Sequence, residues 1–153
     1  MTNMFKRSDL KSIDFKNDQL EFYRGLYSTY YNQFAFRVAA SEESIRITRA
    51  PKLEKDNGLL FWVAAELQEN WSGREQYFQR FIQSSDFKEI SESEFNSMVF
   101  SRCGELITKP SLPLSSGNFI GALAMCTMEK ELTVDLFAEY DNEYIHFIWE
   151  STA

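Results

Sequence analysis

The sequence predicts an α+β fold: an antiparallel sheet with a C-terminal three-stranded meander, two central helices and one N-terminal helix, in a single domain over residues 1–153. Three observations carry this prediction. Apolar residues recur at steps of three and four between Asp18 and Phe34, two Ser-x-x-Glu capping signals stand mid-chain, and three apolar runs separated by polar breaks close the sequence.

Taken in order, Leu20, Tyr23, Tyr27, Tyr30, Tyr31 and Phe34 form the stripe of an amphipathic helix, with Asp18 and Glu21 suited to its start and Gly25 in its middle. The runs FAFRVAA and SIRIT, divided by the polar SEE, read as a hairpin. A charged loop from Pro51 to Gly58 leads into LLFWVAAEL, residues 59–67, whose short length and aromatic content favour a strand over a helix.

Ser72 with Glu75 and Ser91 with Glu94 have the spacing in which the serine side chain accepts from a backbone N–H while the glutamate reaches back. The first of these helices presents Tyr77, Phe78, Phe81 and Ile82 on one side, and the second presents Phe95, Met98, Val99, Cys103 and Leu106. Pro110 stops the second, and PSLPLSSGN is a loop. The meander then runs FIGALAMCTM, LTVDLFAEY, EYIHFIWE.

A two-residue turn at Asp141 and Asn142 fixes a register that the hydrophobic pattern can test. One face pairs Ala138 with Ile145, Leu136 with Phe147 and Val134 with Trp149; the other pairs Glu139 with Tyr144, Phe137 with His146, Asp135 with Ile148 and Thr133 with Glu150. A slip of one residue would oppose apolar and charged side chains. Asp135, Phe137, Glu139, Tyr144, His146 and Glu150 therefore point away from the main core. They form either a surface for a partner, with rings for buried area and acids for its Lys or Arg, or a layer covered by a helix or loop of the same chain.

Aromatic residues make up 16% of the chain, and phenylalanine, which has no polar group, supplies fourteen of them. So many rings need a well-filled core or an interface. The net charge of −7 is unevenly spread: residues 1–55 carry ten Lys/Arg against seven Asp/Glu, and residues 56–153 six against sixteen. This field disfavours nucleic acid and anionic membranes and suits a basic protein partner, although acidity also serves solubility. No run approaches a membrane span and no apolar stretch follows the first basic residues, so a cytoplasmic protein is expected.

Catalytic chemistry has few candidates. His146 is the sole histidine, Cys103 lies on an apolar helix stripe and Cys126 within a strand, both ordinary settings for inert thiols. Asp135 and Glu139 share a strand face near the spacing used in acid–base hydrolysis, and carboxylates beside one histidine could hold a metal without specificity. There is no glycine-rich phosphate loop and no Gly-x-Ser-x-Gly. Arg37, Arg46 and Arg49 suit internal ion pairs better than phosphate in so acidic a chain. The expectation is a binding protein and not an enzyme, with no cofactor and no metal.

In size, acidity and aromatic content the chain resembles bacterial immunity proteins, which neutralise a cognate toxin inside the cell. The resemblance implies occlusion of the toxin's active site or substrate surface, across an interface on the order of 1,600 Å². Small size, acidity and an initial helix before three strands also resemble type III secretion chaperones over the first half of the chain. That likeness departs at the end, where those chaperones have a helix and this chain has EYIHFIWESTA. A small hydrolase using His146 is the third alternative.

Overall fold

The computed structural model describes residues 26–38, 42–52, 58–66, 86–126 and 133–151. The strands are β1 (Tyr27–Tyr31), β2 (Glu43–Pro51), β3 (Asp86–Ile90), β4 (Phe119–Cys126), β5 (Thr133–Tyr140) and β6 (Glu143–Ser151). They form one antiparallel sheet in the order β1-β2-β6-β5-β4-β3. Two α-helices accompany it among the described residues, α1 (Gly58–Glu66) and α2 (Glu92–Cys103).

This corrects the expected α+β class, because among the described residues the sheet dominates and the expected set of one N-terminal and two central helices is not found. Tyr27–Tyr31, assigned to the N-terminal helix, is a strand paired with Ile45–Arg49. The spacing of its tyrosines did not mark a buried stripe: Tyr27 and Tyr30 are exposed and only Tyr31 packs on the core. The rest of that helix up to Gly25, and the helix expected from Ser72, lie outside the described residues.

The stretch expected as a strand, 59–67, is instead helix α1 through Glu66. Its six residues Phe61 to Glu66 are all buried. A helix enclosed on every side carries no polar stripe, so the period of 3.6 leaves no mark in the sequence. The expected FAFRVAA–SIRIT hairpin also fails. SIRIT belongs to β2, whose partners are β1 and β6, while Gln33–Ala35 is a 3-10 turn capped by Asn32 and Phe36 bridges to Leu106. Strand β3, DFKEI, had no counterpart among the expected elements.

Other elements form as expected. Helix α2 begins with the full capping box: Ser91 Oγ accepts from the Glu94 N–H at 3.1 Å, and Glu94 Oε1 accepts from the Ser91 N–H at 3.1 Å. Its Phe95, Val99 and Cys103 are buried against the sheet. The meander is β4-β5-β6, and its last two strands pair in the expected register, Val134 with Trp149, Leu136 with Phe147 and Ala138 with Ile145. These residues, with Ile45 and Ile47 of β2, make the main core under α2.

The other face of the sheet carries a second packed layer beneath α1. Phe61 stacks on Tyr144 at 5.4 Å between ring centroids and meets Phe137 at 6.0 Å, while Trp62 sets its edge against Phe87 at 5.3 Å. The helix starts at Gly58, where a Cβ would stand 2.5 Å from Phe137 Cζ. A side chain there has no room unless the buried ring moves, so glycine sets how closely α1 approaches the sheet.

Because β2 lies beside β6, Arg49 and Lys52 come next to acids of the C-terminal strands. Arg49 grips Glu143 through two hydrogen bonds of 2.7 Å, Lys52 pairs with Glu139, and the Trp149 ring N–H donates to Glu43 at 2.8 Å. The charge asymmetry read along the sequence is thus partly neutralised within the fold.

Candidate functional site

Between α1 and the sheet, three ionisable side chains meet. Glu66 ends α1 after an apolar run, Asp135 comes from β5 and His146 from β6. In the register Asp135 faces Ile148 and Phe137 faces His146, so Asp135 and His146 are diagonal neighbours on one face. His146 Nε2 stands 2.8 Å from Glu66 Oε1 and 3.0 Å from Asp135 Oδ1. None of the three is more than 2% exposed.

Burial of this depth sets the charges. Desolvation and then the nearby Asp135 charge push the Glu66 carboxyl well above the usual range, although His146 pulls the other way. Burial would raise Asp135 too, but the His146 charge overcomes it, helped by hydrogen bonds from Glu66 and His146 and by the Trp62 ring N–H, and the group sits below its ordinary value. His146 is lowered by burial and raised more strongly by Asp135 and Glu66, with a net upward shift. These shifts favour the proton on the Glu66 carboxyl, the ionised form of Asp135 and the charged form of His146, a combination with no net charge.

Two polar atoms of the cluster are left over. Asp135 Oδ2 and His146 Nδ1 are buried and have no hydrogen-bond partner among the described residues. Buried unsatisfied atoms of this kind cost about 1–3 kcal/mol each, so the cluster is not accounted for by its internal hydrogen bonds alone. Across β2, Thr48 stands opposite His146, and its hydroxyl is 2.7 Å from that of Ser28. In this enclosed form the cluster can share protons within itself or hold a small ion. Attack on a substrate would require access that the packed α1 denies.

The expected partner surface is therefore corrected. Asp135, Phe137, Tyr144 and His146 are buried beneath α1, which is the covering helix of the alternative reading. Glu139, at the rim, pairs with Lys52, and Glu150 remains half-buried near the end of β6, opposite Thr133. Asp135 and Glu139 are not an acid pair, since each has its own cationic neighbour. Nor does Cys103 serve His146: it belongs to the core on the other face, and burial pushes its thiol up to about 11. Arg49 is engaged internally with Glu143, and Arg46 lies over the Tyr30 ring at 4.8 Å.

Sequence reasoning missed Glu66. The available signal was a lone carboxylate inside an apolar run, since a charge buried with such neighbours must be neutralised or paired. Among the described residues no helix is long and apolar enough to cross a membrane. Comparison of the whole chain with protein families, characterised proteins and solved structures gave no match in any of the three.

Proposed function

We propose that this chain is a protein-binding module that acts by covering a surface of a basic partner, in the manner of an immunity protein occluding a toxin. The observation that carries the reading is strand β1. Among the described residues it is an edge of the sheet, and Tyr27 and Tyr30 on it are 57% and 54% exposed, followed by Phe34 at 70%. An edge strand offers unpaired backbone groups, and exposed rings beside it supply the apolar area that an incoming chain buries.

The opposite edge differs in kind. Strand β3 exposes Asp86, Lys88 and Glu89, and charges on an edge oppose pairing with another strand. The interface in this reading thus moves from the 135–150 face to β1. The net charge of −7 supports steering of a basic partner by the field of the whole molecule. The protein would act in the cytoplasm. The chaperone alternative loses support, since its initial helix is strand over Tyr27–Tyr31.

The test is co-purification from the native host at physiological salt, with mass-spectrometric identification of bound protein. A stoichiometric basic partner is expected with the wild-type chain and not with a Tyr27→Lys/Tyr30→Lys variant of unchanged circular dichroism. Recovery of no protein partner would overturn the reading, and retention by the variant would exclude β1 as its interface.

A further inference from the structure

We propose that Glu66, Asp135 and His146 form a buried site for one divalent transition-metal ion. The proposal concerns the interior and is independent of partner binding at β1. Three donors converge from three separate elements, with His146 Nε2 2.8 Å from Glu66 Oε1 and 3.0 Å from Asp135 Oδ1, and all three ligand atoms within 4.8 Å of one another. Two donors each about 2.1 Å from an ion and roughly at right angles stand about 3.0 Å apart. The two spacings to His146 Nε2 suit adjacent ligands on a single ion, and the third pair, Glu66 and Asp135, lies within 4.8 Å.

The second observation is Asp135 Oδ2. It is buried and makes no hydrogen bond of regular geometry among the described residues, although the Trp62 ring N–H and the Glu66 carboxyl also act on this carboxylate, whose Oδ1 already faces the cluster. A bidentate carboxylate would place this oxygen on the ion, a stronger partner than any regular hydrogen bond it makes among the described residues. Charge balance agrees. Uptake of the ion would release to solvent the protons held by Glu66 and His146, and the two carboxylates and neutral imidazole that remain compensate one divalent cation, so the fully buried site carries no net charge.

The donor set narrows the ion. One imidazole nitrogen with carboxylate oxygens, and no thiolate, suits Zn²⁺, Mn²⁺, Fe²⁺ or Co²⁺, whereas Cu⁺ seeks sulfur and Ca²⁺ or Mg²⁺ seeks oxygen alone. With every ligand buried, the ion would fasten the end of α1 to the centre of the sheet and contribute folding energy.

The test begins with the wild-type chain. Protein made without an affinity tag would be analysed for metal by mass spectrometry, then stripped with chelator and titrated with Co²⁺, Zn²⁺, Mn²⁺ and Fe²⁺, both folded and during refolding from urea. About one equivalent per chain is expected, with visible d–d absorption for Co²⁺ and a raised melting temperature. Glu66→Gln and Asp135→Asn should each weaken uptake by roughly tenfold or more. The proposal is overturned if no ion is taken up stoichiometrically by either route, or if both variants fold and bind as the wild type does. Should the variants not fold, the wild-type titration alone upholds or overturns the site.

Discussion

His146 Nε2 and Glu66 Oε1 lie 2.8 Å apart although 80 positions separate the two residues in the chain. The contact ties a helix to the middle of a sheet with groups that water would otherwise solvate. Its energetic character is open to a direct mutational test.

Removing one member leaves the others buried without compensation. In metal-free protein, Asp135→Ala is expected to lose about 3–5 kcal/mol in urea denaturation. Replacing all three together, as Glu66→Leu/Asp135→Leu/His146→Phe, removes every charge at once and should recover most of that loss. A triple variant no more stable than Asp135→Ala would show that the penalty does not come from stranded charge.

Gly58→Ala should destabilise the fold by about 1–3 kcal/mol, because the new methyl group meets the buried Phe137 ring. Combined with Phe137→Leu, the two losses should sum to less than their separate values. Thermal melts of the four proteins of the cycle check this, and strict additivity would remove the steric explanation.

At the start of α2, Ser91→Ala should cost about 1 kcal/mol, since the Glu94 N–H loses its acceptor, and Ser91→Thr should cost less. Chemical denaturation at neutral pH resolves a difference of this size. Equal losses for the two substitutions would point to packing and not to the hydroxyl.

Glu143 gives the fold a defined acid sensitivity. Burial would raise its carboxyl, but the hydrogen bonds from Arg49 and Ser115, with the Arg49 charge, hold it below the ordinary range. A carboxyl lowered in the folded state stabilises above its unfolded value, about 4.3, and loses that contribution as pH falls through the folded value. Glu143→Gln should therefore lower the urea midpoint at pH 7 and have little effect near pH 2. The same deficit at both pH values would contradict the assignment.

How much of this was legible in the sequence depends on how far apart the interacting residues lie. The β5–β6 register and the Ser91 capping box were readable because each is settled within about twenty residues by pattern and turn chemistry. Helix α1 was not, since complete enclosure removed its polar stripe, and β1 misled because its tyrosines stand at helical spacing without being buried. The site was half legible. The diagonal placement of Asp135 and His146 follows from the hairpin, but nothing near them announces Glu66, and the sign of their exposure depended on a helix read as a strand.

Strand β6 is third in the sheet, with β2 on one side and β5 on the other. Arg49 and Glu143, which join it to β2, are 94 positions apart. The molecule is therefore stitched across its middle by segments far apart in sequence, a topology whose assembly waits on closing a long loop. Severed between α1 and β3, the chain would yield one fragment holding β1, β2 and α1, and another holding β3 to β6 with Asp135 and His146 uncovered. Neither piece has a complete core, so such halves would be inert apart and would regain structure by complementation when mixed.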